Sequence, residues 1–523
     1  MSQLPEFGRR LARNAATLSA FNAAGVLAAL AQDVVMAALF GLGRDTDAFF
    51  LAYTVPQFVV LTLAGSVQEA LIPIFSGAGR GGEDGEDPWR AIRLVVSTWA
   101  LILAGVGVIG YVLANPLVRV IGAGAPIAQR AQTVQLARLL FWMIPLLGLS
   151  EILRAALISQ DRYALASAGN LMRYSVSLAV MVTLGVSLGI SAVAWGYLGG
   201  ALLQLVWMVC AILWIGGSLR PLWAPKDPLL KESLRLMGQR MGGIAIRRTR
   251  TILERFLASF LPPGSITALT YAQRVSMSLW QVFANSVSTA ILPDLATAAQ
   301  ERRVGQMREM VAKGIRLLSV VVWPVAVGGA VLSLPLIRLL FERRAFHAAA
   351  SVHTARLLQI YVLSIPALVL VQVLLAPHYA RKDARTPMVH MIWMLALNGV
   401  LAVALTPLWG TAGLALAYTL ASFASLARSY YLAERMMGSF RDVALLSYLG
   451  RVGLACSVMA AVTWTVAWRL SSLRLAPGAL SLVIELGASS LVGGIVYLAM
   501  ARWLKLGELR ELARLLPGLG RLA

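Results

Sequence analysis

Residues 244–256 read IAIRRTRTILERF. Arg247, Arg248, Arg250, Glu254 and Arg255 crowd there into an otherwise apolar run. At helical pitch these five side chains fall within an arc of roughly 160°, and Ile246, Ile252, Leu253, Phe256 and Leu257 cover much of the remainder. A charge at the centre of a membrane helix costs about 2.5–3.5 kcal/mol on insertion scales, so such residues usually face a cavity or a partner. Guanidinium groups offer planar, paired donors that match phosphate oxygens. The chemistry expected is therefore capture of an anion, a diphosphate in particular. Arg274 lies in another apolar run, and Asp47, Gln32 and Glu69 lie in two more. The expected binding set is Arg274, Arg255, Arg250, Arg247 and Arg248, with Glu254 and Asp47 orienting them and Gln32 and Glu69 adding polar contacts. Competing readings are snorkelling of Arg247 and Arg248 to headgroups and inter-helix hydrogen bonding by the amides. Glu151 and Arg154, three apart, read as an internal pair.

The elements that must position these groups are membrane helices. The chain has 523 residues, 59% apolar and 13% charged, where a soluble protein carries roughly 25% charge. Fourteen apolar spans are expected near 17–41, 47–75, 91–116, 134–159, 164–189, 192–216, 242–261, 266–296, 314–341, 355–379, 386–408, 410–434, 444–470 and 477–501. Only helices satisfy their own backbone over so many lipid-exposed spans, and the alternation of a membrane barrel is missing. The net charge of +22 sits in short connections, where it reports orientation and not nucleic acid as a partner. Its bias toward the even-numbered connections places both termini in the cytoplasm. Cys210 and Cys456 read as small apolar residues with no metal spacing.

Two halves echo one another. "DAFFLAYTVPQ…AGSVQEALIP", which starts at Asp47, returns from Thr267 as "TALTYAQRVSM…ANSVSTAILP", with Ser66, Val67, Ala70 and Pro73 falling on Ser286, Val287, Ala290 and Pro293. The expected organisation is all-α and polytopic. Two pseudo-symmetric six-helix lobes (1–216 and 242–434) flank an amphipathic cytoplasmic linker (217–241). Two further helices (435–503) and an amphipathic tail (504–523) complete it. Twin repeats with a polar site at their interface are a common plan for carriers.

"GRDTDAFFLAYTVPQF…ALIPIF", "ERFLASFLPPGSITALTYAQRV" and "APHYARKDARTPM" resemble the MurJ/MviN family, lipid II flippases of the multidrug/oligosaccharidyl-lipid/polysaccharide exporter superfamily. The resemblance covers essentially the whole chain. It implies two lobes around a cavity that opens alternately to either side, a polyprenyl-diphosphate-linked saccharide as substrate, and a lipid-tail groove beside the last two helices. Asp47 matches the family's acidic residue, and Arg274 its arginine in span 8. Where the family carries arginines in spans 1 and 2, this chain has Val26, Gln32, Val59 and Val60. A capsule, exopolysaccharide or O-antigen unit is therefore the alternative cargo. Asn398 matches a sodium-site asparagine in some relatives, with Ala402 one turn on. No cofactor is expected, and coupling falls to the membrane potential or a monovalent cation. Membrane lipids and cell-envelope glycan synthesis proteins are the expected neighbours in a bacterial inner membrane. An integral-membrane transferase would show a paired-carboxylate or histidine-bearing loop; the four histidines are scattered. A transport-inactive scaffold is the other rival.

Overall fold

The computed structural model describes residues 24–79, 89–290, 303–440, 445–473 and 478–508, with a few single positions beside them. Expectations for residues 1–20, for Pro293 and for the tail beyond 508 lie outside the described residues. Among the described residues all regular structure is helical, and the chain divides into two compact units.

The first unit comprises residues up to Thr267 together with Arg343–Phe346. It holds α1 (Ala24–Phe40), α2 (Arg44–Gly79), α3 (Arg90–Ile121), α4 (Ile127–Phe141), α5 (Met143–Ser159), α6 (Tyr163–Leu188), α7 (Ser191–Trp214) and α8 (Pro228–Ala258). The next helix, α9 (Ser265–Ala290), starts in this unit and continues into the second. The second unit then holds α10 (Val304–Val331), α11 (Ser333–Phe341), α12 (Ala348–Val362), α13 (Ile365–Ala380), α14 (Arg385–Met437), α15 (Leu445–Leu473) and α16 (Ala479–Trp503). Ten helical stretches are long and apolar enough to cross a membrane. One of these, α14, holds two of the expected spans on either side of Gly410, and α1, α8 and α9 supply three more, so each of the fourteen has its helix.

Three expected spans are broken in the middle, and one cause fits all three. Proline lacks the N–H that would bond the carbonyl four residues back. For Pro145, Pro335 and Pro366 that carbonyl belongs to Phe141, Val331 and Val362, which are the last residues of α4, α10 and α12. Glycine makes the sharper turns. Gly189 (φ 58°, ψ −144°) ends α6, and Gly410 (φ 56°, ψ −129°) divides α14. An L side chain rarely adopts this conformation. The two glycines are separated along the chain by the same interval as the left-handed Asp161 (φ 59°) and Lys382 (φ 61°). The repeat seen in the sequence thus extends to backbone torsions within each unit.

The linker's amphipathic segment and the seventh span form one helix, α8, 31 residues long. Its start is fixed by Asp227, whose carboxylate accepts from Leu229 N at 2.9 Å with Pro228 at the first helical position, a favoured capping arrangement. The same carboxylate pairs with Arg90 at 2.7 Å. In the second unit α15 and α16 pack on α10 through Val320, Val452, Cys456, Met459 and Tyr497. Tyr497 OH donates to Val320 O at 2.6 Å and Tyr448 OH to Arg316 O at 3.2 Å. The two additional helices are therefore tied to one element by backbone acceptors as well as apolar burial.

Candidate functional site

The arginine stretch of α8 is less uniform than its helical arc predicts. Arg247 is exposed and Arg248 half-buried. Arg250 Nη1 donates to Glu254 Oε2 at 2.9 Å, one turn on, with Glu254 buried. Arg255 is 6% exposed; its Nη1 donates to Ile266 O at 2.8 Å and its Cζ lies 5.8 Å from the Phe50 ring. A buried guanidinium needs acceptors, and Arg255 finds one in the first turn of α9. It fixes that turn.

Asp47 works on the same turn. Its Oδ2 accepts from Gly264 N at 2.6 Å, and its Oδ1 from Thr267 N at 2.8 Å and Thr267 Oγ1 at 2.6 Å. These donors are the loose N–H groups at the start of α9, where a carboxylate is favoured both as hydrogen-bond acceptor and by the helix dipole. Two further contacts lie in this part of the first unit. Gly124 N donates to Ser259 Oγ at 3.0 Å, and Ala345 N donates to Ala38 O at 3.1 Å. A Cβ at Gly124 would stand 2.5 Å from the Phe260 backbone, so only glycine permits this approach. Asp47, Arg255 and the connections after α1, α3, α8 and α11 together form a latch built mainly from hydrogen bonds to backbone.

The remaining expected residues are dispersed. Gln32 is buried on α1 and donates to Ser177 Oγ of α6 at 2.6 Å, an inter-helix tie. Glu69 is exposed and pairs with Arg240 at 3.3 Å, with both side chains more than half exposed, a geometry that contributes little. Arg274 lies half-buried on α9 in the second unit. Beside it Gln273 Nε2 donates to Tyr361 OH at 3.1 Å, and Tyr271 stacks on Phe341 at 4.8 Å. Asn398 is buried on α14, and Ala402 follows one turn on. Among the described residues no cluster of three or more His, Cys, Asp or Glu is placed to hold a metal ion.

The structure adds a group that the sequence reading did not place in the site. Arg173, ten residues into the apolar α6, donates from Nη2 to Tyr174 OH at 2.9 Å, and its Cζ lies 4.6 Å from that ring. Glu151 accepts from Arg154 Nε and Nη2 at 2.9 and 2.5 Å. The signal available was a lone arginine in the middle of "GNLMRYSVSLAVMV". In the connection between α13 and α14, Asp383 accepts from Arg385 N and Thr386 N, both at 3.1 Å, and lies 3.1 Å from His378 Nδ1. The Thr386 hydroxyl and backbone N–H, with His378 behind them, hold its carboxyl well below the usual range, at about 2.

The family model described as lipid II flippase MurJ matches residues 36–484. The chain belongs to the MurJ family. Among curated members it is 28% identical over 457 residues to the probable lipid II flippase MurJ of Rhizobium meliloti (strain 1021), covering 83% of this chain and 82% of that one. It is 26% identical over 449 residues to its counterpart in Vibrio cholerae, covering 81% and 82%. Among solved structures it resembles a lipid II flippase MurJ in an inward closed conformation, with a TM-score of 0.76 at 20% identity over 92% of this chain and 97% of that one. An inward-facing MATE family transporter of the MOP superfamily follows at 0.66 and 13% identity, covering 81% and 96%. These structural likenesses establish the shared MurJ and MATE fold.

Proposed function

We propose that the protein is a flippase that carries a polyprenyl-diphosphate-linked saccharide from the inner to the outer leaflet of a bacterial cytoplasmic membrane by alternating access. Lipid II of peptidoglycan is the cargo, and no covalent step is involved. The observation that carries this reading is the family match over residues 36–484, and the curated relatives named above are described as lipid II flippases. With both termini cytoplasmic, as the basic connections favour, the latch around Asp47 belongs to the outer end of the first unit. Its donors are backbone N–H groups and a hydroxyl, which water can replace one for one as the latch parts. Asp47 then remains hydrogen-bonded in either state.

The diphosphate is assigned first to Arg247 and Arg248, which α8 leaves partly accessible. Arg250 joins when a phosphate oxygen displaces Glu254 from it, and Arg255 once the turn at Ile266 releases it. The anionic headgroup moves toward a positive outer side and is driven there by the membrane potential, by about 2.3 kcal/mol per charge per 100 mV. Ala402 brings no carboxylate to Asn398, so coupling is assigned to the membrane potential. Enzymes that build lipid-linked glycans supply the cargo.

The test is complementation of a strain depleted of its own lipid II flippase, with labelled lipid II followed in each leaflet. Growth and outer-leaflet label should return. Continued lysis, with rescue instead of a mutant defective in exopolysaccharide export, would reassign the saccharide.

A further inference from the structure

Beyond the latch and α8, the first unit holds a second set of arginines. Arg173 lies ten residues into α6, roughly 15 Å along its axis, which is midway through an apolar layer about 30 Å thick. Its Nη2 has a neutral phenol as partner, and its Nε is buried with no hydrogen bond at all. Tyr53, Tyr197 and Glu151 lie within its electrostatic range, the two rings meeting edge to face at 5.1 Å. Glu151 is engaged with Arg154 through two donors. Both members of that pair keep a share of accessible surface, 17% for Arg154 and 12% for Glu151. One carboxylate therefore answers two guanidiniums.

The shared scaffold does not demand these charges. Asp161 with Lys382, and Gly189 with Gly410, fix a single register for the repeat on this stretch. That register carries Glu151, Arg154 and Arg173 onto Gln372, Leu375 and Met394, so the second unit builds the corresponding helices with uncharged side chains. A guanidinium kept at mid-depth with unfilled donors matches an oxyanion that arrives and leaves.

We propose that Arg173 and Arg154, the latter held in register by Glu151, form a phosphate-binding site on the first unit that receives the headgroup of the lipid-linked substrate. The assignment rests on the flippase reading above and adds two residues to its binding set. The full-length protein in maltoside detergent would be titrated with undecaprenyl diphosphate, followed by intrinsic fluorescence. The variants are Arg173→Gln, Arg173→Lys and Arg154→Gln, with thermal midpoints recorded for each. Each glutamine substitution should weaken binding about tenfold, the loss of a charge-assisted hydrogen bond, and Arg173→Lys should lose less. If Arg173→Gln does not fold, Arg173→Lys and Arg154→Gln carry the comparison. Wild-type binding with unchanged affinity in the folded variants would overturn this site and leave the flippase reading intact. No binding by the wild type would overturn both. Displacement of the diphosphate by an equal concentration of phosphatidylglycerol would assign the site to bulk phospholipid and overturn its assignment to substrate.

Discussion

The carboxylate of Asp47 takes three hydrogen bonds from a single turn, two from backbone N–H groups and one from the Thr267 hydroxyl. An asparagine there keeps one acceptor and turns an NH2 group toward a backbone N–H. Asp47→Asn should therefore lower stability by about 1–3 kcal/mol, the range for a buried donor left unsatisfied. Thermal unfolding in detergent would measure it, and an unchanged midpoint would mean that the carboxylate does not hold the start of α9. Asp383 gives a pH-dependent counterpart. Its folded value of about 2 lies below the roughly 3.9 of an unfolded aspartate. Its stabilising effect is thus complete above about pH 4 and disappears as pH falls toward 2. The gap in thermal midpoint between wild type and Asp383→Asn should narrow from pH 6 to pH 3. A gap that stays constant would remove the carboxylate charge as its cause. The importance of Asp47 was legible from its position at the head of an apolar run. Its partners were not, because Gly264 and Thr267 stand in the other copy of the repeat, far along the chain. Arg255 reads as a cavity cation on a helical wheel, and the structure gives it an acceptor at Ile266, which a wheel cannot display.

At the scale of elements, the apolar runs sufficed to locate a helix for each of the fourteen expected spans, although α1, α8 and α9 fall outside the ten stretches that length and hydropathy alone mark as able to cross a bilayer. The breaks within spans were harder to foresee. Pro145, Pro335 and Pro366 each end a helix four residues earlier, yet Pro56, Pro116 and Pro324 lie inside α2, α3 and α10 without ending them. Proline thus marks where a ladder bond is missing, and packing decides whether the helix parts there. The glycine turns are firmer. Gly189→Ala and Gly410→Ala should each cost about 1–3 kcal/mol, because both force a side chain into a conformation close to glycine-only. Their matching torsions predict similar penalties, read as thermal midpoints of the two purified variants. A penalty at one site and none at the other would show that the torsional match does not extend to energetics.

For the whole molecule, the proposed alternating-access cycle requires that the latch open and close once per turn. Ala345 N and Ala38 O are 3.1 Å apart, so cysteines at these two positions stand within reach of a disulfide. In a background lacking Cys210 and Cys456, oxidation of the Ala38→Cys/Ala345→Cys variant should halt lipid II transfer in cells and reductant should restore it. Undiminished transfer by the oxidised protein would exclude opening at this end. Helix α8 extends what the latch implies. It is a single rod of 31 residues, roughly 46 Å at 1.5 Å per residue, tethered at one tip by Asp227 and Arg90 and at the other by Arg255 on Ile266. Near its midpoint Gly242 and Gly243 stand side by side, with open space where their side chains would be. Paired glycines are the weakest place in a helical rod. A lever with a soft fulcrum need not swing as one piece: a pull at the Arg255 tip can be absorbed as a bend, leaving the Asp227 tip at rest, so the two ends can move in succession.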